Sequence, residues 1–235
     1  MFFDPLYLLF AAPGLLLGLW AQWRVRSTFA RYSQVATAHG ATGAAIATSI
    51  LQTERISGVR VEGTRGFLSD HYSPTERTLR LSPDVYSGRS IAAAGIAAHE
   101  VGHAIQHARN YPWLGMRSSL VPAVQFASPF AVPILMVGFM LSSLGGLGQI
   151  VILFGLALFA MIVLFQLVTL PVEFDASRRA LAALRNGGTM SRAELDAAAE
   201  VLRAAAWTYV AAAVSSLLTL LYFLLRSGLL GRRSD

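Results

Sequence analysis

The 235-residue chain contains no cysteine and no lysine. Without cysteine there is no disulfide and no thiolate metal site, so any transition metal must be held by histidine and carboxylate side chains. Without lysine there is no Schiff base and no amine nucleophile, and all 19 basic residues are arginines. Charge is scarce too. Only 14% of the residues are charged and 54% are hydrophobic, whereas a soluble domain carries about a quarter charged residues. Such a chain reads as a membrane protein. The formal net charge of +6 could suit nucleic acid, but no basic run is interleaved with stacking aromatics, and arginines flanking membrane spans account for the excess. The expected partner is the lipid bilayer, and nucleic acid is not one.

Four apolar stretches stand out: residues 4–23, 126–144 ("FASPFAVPILMVGFMLSSL"), 150–170 ("IVILFGLALFAMIVLFQLVTL") and 207–226. At ~1.5 Å per residue each can cross a ~30 Å hydrocarbon core. The first lacks a basic leader and a clear cleavage site, so it reads as an anchor rather than a removed signal peptide. Eleven arginines lie between the first and second stretches, from Arg24 to Arg117, and five between the third and fourth, from Arg178 to Arg203. None precedes the first stretch or falls in the 145–149 turn. By the positive-inside rule both polar segments face the cytoplasm. The tail "RSGLLGRRSD", with three arginines, runs against that rule.

The polar region 24–125 reads as mixed α and β. A helix is predicted from a cap near Thr42 to Gly58, followed by a short strand. "GFLSDHYSPTERTLRLS" predicts a hairpin around "SPTE", and a further helix should begin near Ser90. Within 171–206 the helical pattern breaks at "NGGTMS", where Ser191 and Glu194 have capping-box spacing, which makes Glu194 a cap rather than a catalyst.

The chemistry concentrates in "AAHEVGHAIQH", residues 97–107. On a helix, His99 and His103 lie about 40° apart round the axis and ~6 Å along it, so both imidazoles can reach one ion. Glu100 stands on the flank, poorly aimed for coordination and well placed to take a proton from a water on the metal. His107 is ~12 Å along the axis from His99, too far for all three to share an ion. Pairing it with His103 would leave Glu100 without a role, so His107 reads as structural. A polar seam on a buried helix is the rival reading, disfavoured because several imidazoles and a carboxylate are costly to bury without strong partners.

A catalytic zinc site needs a third protein ligand and a place for water. A third histidine six residues after the second is excluded, because that position is Arg109. Two spans separate His103 from "LPVEFDASRRA", and two crossings return the chain to the same membrane face. Glu173 is expected in a helical first turn after Pro171, with Asp175 paired i,i+4 to Arg179. On a helix the two acids point about 200° apart, so only one can be a ligand. Glu173 is preferred.

"SDHYSP", "LRLSPDVYSGRSIAAAGIAAHE", "HEVGHAIQH", "LPVEFDASRRA" and "AAAWTYVAAAVSSLL" occur in that order along nearly the whole chain. Together they resemble the bacterial neutral zinc metallopeptidases of the YugP-like membrane group, loosely similar to HtpX. The resemblance implies an integral-membrane gluzincin of the bacterial inner membrane, with Zn²⁺ on His99, His103 and Glu173 and with Glu100 as general base. It departs at Ser73, where an acid is expected, which removes support for a metal role of that loop.

The resulting expectation is a mainly α integral membrane protein of about four transmembrane helices with a small α+β zincin-like catalytic region. Its parts are an anchor (1–23), a catalytic region (24–125), a transmembrane hairpin (126–170), a third-ligand helix region (171–206) and a last transmembrane helix with its tail (207–235). The predicted activity is zinc-dependent endopeptidase action on membrane or juxtamembrane polypeptides, with the catalytic region cytoplasmic. His71 and Tyr72 are candidate donors to the oxyanion of the reaction. The run "TLRLS" is a candidate edge strand that binds substrate by strand addition. One alternative is a catalytically inactive zinc-binding membrane partner. An ion transporter is disfavoured, because the apolar spans carry no ionisable group well inside them.

Overall fold

The computed structural model describes residues 4–188 and 190–230; residues 231–235 of the arginine-bearing tail lie outside them. The chain is mainly helical with one small sheet. Its elements in order are α1 (Pro5–Ser33), α2 (Gly43–Thr53), β1 (Arg60–Gly63), β2 (His71–Ser73), β3 (Thr78–Leu81), α3 (Pro83–Tyr86), α4 (Ile91–Ala108), α5 (Pro112–Met140), α6 (Gly146–Asn186) and α7 (Arg192–Arg226). Four of these helices, α1, α5, α6 and α7, are long and apolar enough to cross a membrane. The chain falls into two compact units. The first takes in the described residues up to Trp20, 116–170 and those from Tyr209 onward; the second is 21–115 with 171–208.

The first unit packs Ala127, Ala131 and Leu135 of α5 against Leu156 and Phe159 of α6 and against Tyr222 and Phe223 of α7. Gly155 lies so close to Leu135 that a methyl there would stand 2.8 Å from the leucine side chain. Small residues permit such approaches where helices gain little from burying greasy surface in lipid. Much of the apolar surface stays outside this core, including Leu9, Leu16, Phe126 and Phe154. Water would not tolerate a patch that large; hydrocarbon does.

In the second unit the sequence's local signals are mostly obeyed. Thr42 caps α2, its hydroxyl accepting from the Ala45 N–H at 3.2 Å, and Ser90 caps α4 through the Ala93 N–H at the same distance. The capping box at α7 is present, with the Ser191 N–H donating to Glu194 at 2.7 Å and the Glu194 N–H to Ser191 at 3.3 Å.

Three expectations are corrected. The α2 helix ends at Thr53, short of Gly58. Arg55 takes the left-handed conformation (φ 55°), and the Ile56 and Arg55 N–H groups bond back to the Leu51 and Gln52 carbonyls. That double closure terminates a helix without needing the glycine. Second, Pro171 starts no new helix, because α6 runs unbroken for 41 residues and Glu173 lies in its interior. A proline removes a single N–H bond, and the buried stripe Val172, Ala176, Ala180, Ala183 carries the helix past it. The dipole of a helix start therefore does not account for Glu173. Third, β3 is not an edge strand. The order is β1-β3-β2, with β1 parallel and β2 antiparallel to β3, so both sides of "TLRL" are already paired. Substrate cannot add there, and the free edges belong to β1 and β2.

Candidate metal centre

The site forms where α4 crosses α6 inside the second unit. The two backbones touch at Gly102, where a β-carbon would lie 2.4 Å from the Ala176 carbonyl oxygen. Gly102 sits between His99 and His103, and Ala176 is one turn beyond Glu173, so this contact brings the imidazoles and the carboxylate within reach. Glu173 Oε2 is 3.2 Å from His99 Nε2 and 3.6 Å from His103 Nε2. One ligand atom from each of the three residues lies within 4.8 Å of the others. A tetrahedral zinc ion with arms of ~2.0–2.1 Å needs ligand atoms about 3.3 Å apart. The two measured separations straddle that value, and the donor set of two imidazoles and a carboxylate suits zinc. The residues fit the ion.

The other nitrogen of each ring is occupied. His99 Nδ1 is 3.1 Å from the Ser177 hydroxyl. His103 Nδ1 is 3.0 Å from Gln106 Oε1. Gln106 is fully buried, and its amide nitrogen donates to the Val172 carbonyl at 2.7 Å and to Asp175 at 3.0 Å. Only the NH₂ end can serve those two acceptors, so the carbonyl end must face His103 and takes the Nδ1 proton. That leaves the Nε2 lone pair of a neutral His103 aimed at Glu173. Asp175 is fixed in turn by Arg178 and Arg179. The two acids divide as the helical spacing predicts, Glu173 to the histidines and Asp175 to the arginines and Gln106.

Glu100 is buried beside the pair. Burial pushes its carboxyl above the ordinary range; the neighbouring imidazoles pull it partly back, while the charges of Glu173 and Asp70 push the same way as burial. For His103, burial by itself would lower the basicity of the ring. The hydrogen bond and charge of Glu173, with Glu100, outweigh it and hold the imidazole above its usual value in the metal-free protein. Protons and any divalent cation held there would compete for the same groups.

The remaining candidates sit differently. His71 is exposed on β2, its Nδ1 2.9 Å from the Ser69 carbonyl. The Tyr72 hydroxyl is 2.8 Å from His107 Nδ1, tying β2 to the last turn of α4. Ser73 lies in the same strand, its hydroxyl 3.3 Å from that of Thr75. Sequence reasoning passed over Gln106, Ser177 and Asp70. Gln106 is three residues after His103 and Ser177 four after Glu173, helical spacings that could have flagged both. Asp70 accepts from the Ser82 N–H at 2.8 Å and from its hydroxyl, and burial pushes its carboxyl up despite those bonds. No spacing rule connects it to α4.

Residues 7–228 match the family described as "Putative neutral zinc metallopeptidase". The chain is 46% identical over 220 residues to "Putative membrane protease YugP" of Bacillus subtilis (strain 168), an overlap covering 94% of this chain and 95% of that protein. No solved structure matches it.

Proposed function

The chain belongs to the family of neutral zinc metallopeptidases, and from that membership we propose a membrane-embedded, zinc-dependent endopeptidase. In it His99, His103 and Glu173 hold the ion, and Glu100 handles the protons of peptide-bond hydrolysis. The observation that carries the reading is the convergence of three ligand atoms from two helices, within 4.8 Å of one another, with both Nδ1 atoms tied down behind them.

Zinc held there supplies Lewis acidity, polarising the scissile carbonyl and acidifying a water molecule. The protein does the rest. Glu100 accepts the water's proton and returns it to the departing amine, and its raised basicity suits a group that must do both. Ser177 and Gln106 keep the rings from rotating off the site. Burial excludes bulk water and strengthens each of these interactions. His71 and Tyr72 hold other partners, His71 within the β2 turn and Tyr72 in the tie between β2 and α4.

The substrates proposed are membrane or juxtamembrane polypeptides, at the inner membrane of a bacterium with the catalytic region cytoplasmic. The four apolar helices and the arginine-rich segments between them support this placement. The test is zinc analysis and casein cleavage with detergent-purified protein. Wild type should carry zinc and cleave; Glu173→Ala should lose the zinc. Glu100→Gln should keep it while turnover falls by about 10²–10⁴, the span of general acid–base catalysis. Undiminished turnover in Glu100→Gln rejects the base assignment. Zinc in wild type without cleavage of casein or of itself would indicate a zinc-binding partner protein instead.

A further inference from the structure

The proposed chemistry leaves Asp175 without a task. Its ion pairs with Arg178 and Arg179 have the i,i+3 and i,i+4 spacing of an ordinary helix surface, yet the residue is only 2% exposed. A carboxylate taken out of water is costly even when paired, and such a pair adds little net stability. What the burial achieves lies across the helix crossing. Asp175 Oδ2, the oxygen that Arg179 holds, also accepts from the Gln106 side-chain amide of α4 at 3.0 Å.

The contacts there close a circuit. The Gln106 amide donates to Asp175, and so does Arg179. The Arg179 guanidinium lies 5.4 Å over the Tyr111 ring, and the Tyr111 N–H donates back to the Gln106 backbone carbonyl at 2.9 Å. Side chain and backbone of Gln106 are thus both held. The amide has two hydrogens, and the Val172 carbonyl takes one at 2.7 Å while Asp175 takes the other. Val172 by itself would fix which end of the amide faces it but not the plane, because the last torsion of a glutamine is broad. With both hydrogens bonded the plane is fixed, and the amide oxygen stays 3.0 Å from His103 Nδ1. His99 has no such support. The Ser177 hydroxyl behind it can donate or accept, whereas the Gln106 oxygen can only accept, so His103 is the ring whose tautomer the protein imposes.

We propose that Asp175 is a positioning residue of the metal centre. By taking the second hydrogen of the Gln106 amide it locks the plane of that amide, and with it the orientation of His103 and the nitrogen this ring offers to the ion. The proposal rests on the ligand assignment of His99, His103 and Glu173. An ion pair that only stabilised α6 would act independently of Gln106, and a positioning residue acts through it. A double-mutant cycle separates the two roles.

The experiment measures zinc affinity by chelator competition on full-length protein in detergent, for wild type, Asp175→Ala, Gln106→Leu, the two combined, and Asp175→Asn. Asp175→Ala should bind zinc about tenfold more weakly, the lower end of the range for lost partners of a ligating histidine. In the Gln106→Leu background the amide is gone, so the same substitution should change affinity by no more than about twofold. Asp175→Asn should stay within about twofold of wild type. One oxygen in the place of Oδ2 still accepts from both Gln106 and Arg179, while Arg178, bonded to Oδ1 with a side chain 76% exposed, can turn to water. Additive losses in the combined variant, or an Asn variant as weak as Ala, overturn the proposal. Zinc lost from Glu173→Ala but held normally by Asp175→Ala overturns it and leaves the ligand assignment standing; no zinc in wild type overturns both. If Asp175→Ala does not purify folded because Arg179 is stranded, Asp175→Ala/Arg179→Gln takes its place in both backgrounds.

Discussion

Gly102→Ala isolates what the α4–α6 contact does. The new methyl would lie 2.4 Å from the Ala176 carbonyl oxygen, against a floor of about 3.0 Å for real contacts, so the two helices must part by at least about 0.6 Å. The partner is backbone and cannot swing aside. Overpacking of this kind costs about 1–3 kcal/mol, while replacing a helical glycine with alanine returns about 0.5–1 kcal/mol. The metal-free protein should therefore lose only about 0–2.5 kcal/mol. Metal coordination is less forgiving, since ligand distances hold to about 0.2 Å, and Glu173 moves with α6 while both histidines stay on α4. Zinc affinity should fall by at least about tenfold, as measured by chelator competition on detergent-purified protein, with Tm of the chelated protein recorded alongside. Gly95→Ala on the same helix is the control. Its methyl would meet Ala198 at 3.5 Å, an ordinary contact, so that variant should melt slightly higher and bind zinc normally. Wild-type zinc affinity in Gly102→Ala would refute the argument that this glycine sets the spacing of the site.

Two further outcomes follow from the buried polar groups. Gln106→Leu removes the group that fixes His103 Nδ1 and takes one donor each from the Val172 carbonyl and Asp175; zinc affinity should drop about 10–100-fold, and an unchanged chelator midpoint would count against the network. Glu100→Gln should stabilise the chelated protein at neutral pH. A carboxyl held above its ordinary value in the folded state costs stability when ionised, a cost absent below the ordinary carboxylate range and full once pH exceeds the raised value. The Tm advantage of the variant should thus shrink as pH falls toward about 4.5; a constant gap from pH 4 to 8 would contradict that reading.

Much of this protein follows from local rules. The apolar stretches become long helices because backbone in hydrocarbon must bond to itself. His99 and His103 share a face because the helical period dictates it, and Thr42, Ser90 and Ser191 cap where their hydroxyls meet orphan N–H groups. The separation of Glu173 from Asp175 needed nothing more than angular spacing. Other features depend on partners distant in the chain. Whether Pro171 breaks a helix turns on the packing that surrounds it, and whether "TLRL" lies at an edge turns on where β1, some fifteen residues earlier, is laid down. Arg55 ends α2 because the chain must reverse there to begin β1, a demand no propensity encodes.

The sequence by itself determined the membrane character, the imidazole pair with its flanking carboxylate, and the short list of acids able to join them, since each rests on residue type and spacing within a single element. The tertiary structure alone decided that Glu173 meets both rings, that Gln106 and Ser177 stand behind them, and that α4 and α6 touch at Gly102. Those are distances between α4 and α6, about seventy residues apart, and a backbone contact too close for a β-carbon is set by packing in three dimensions.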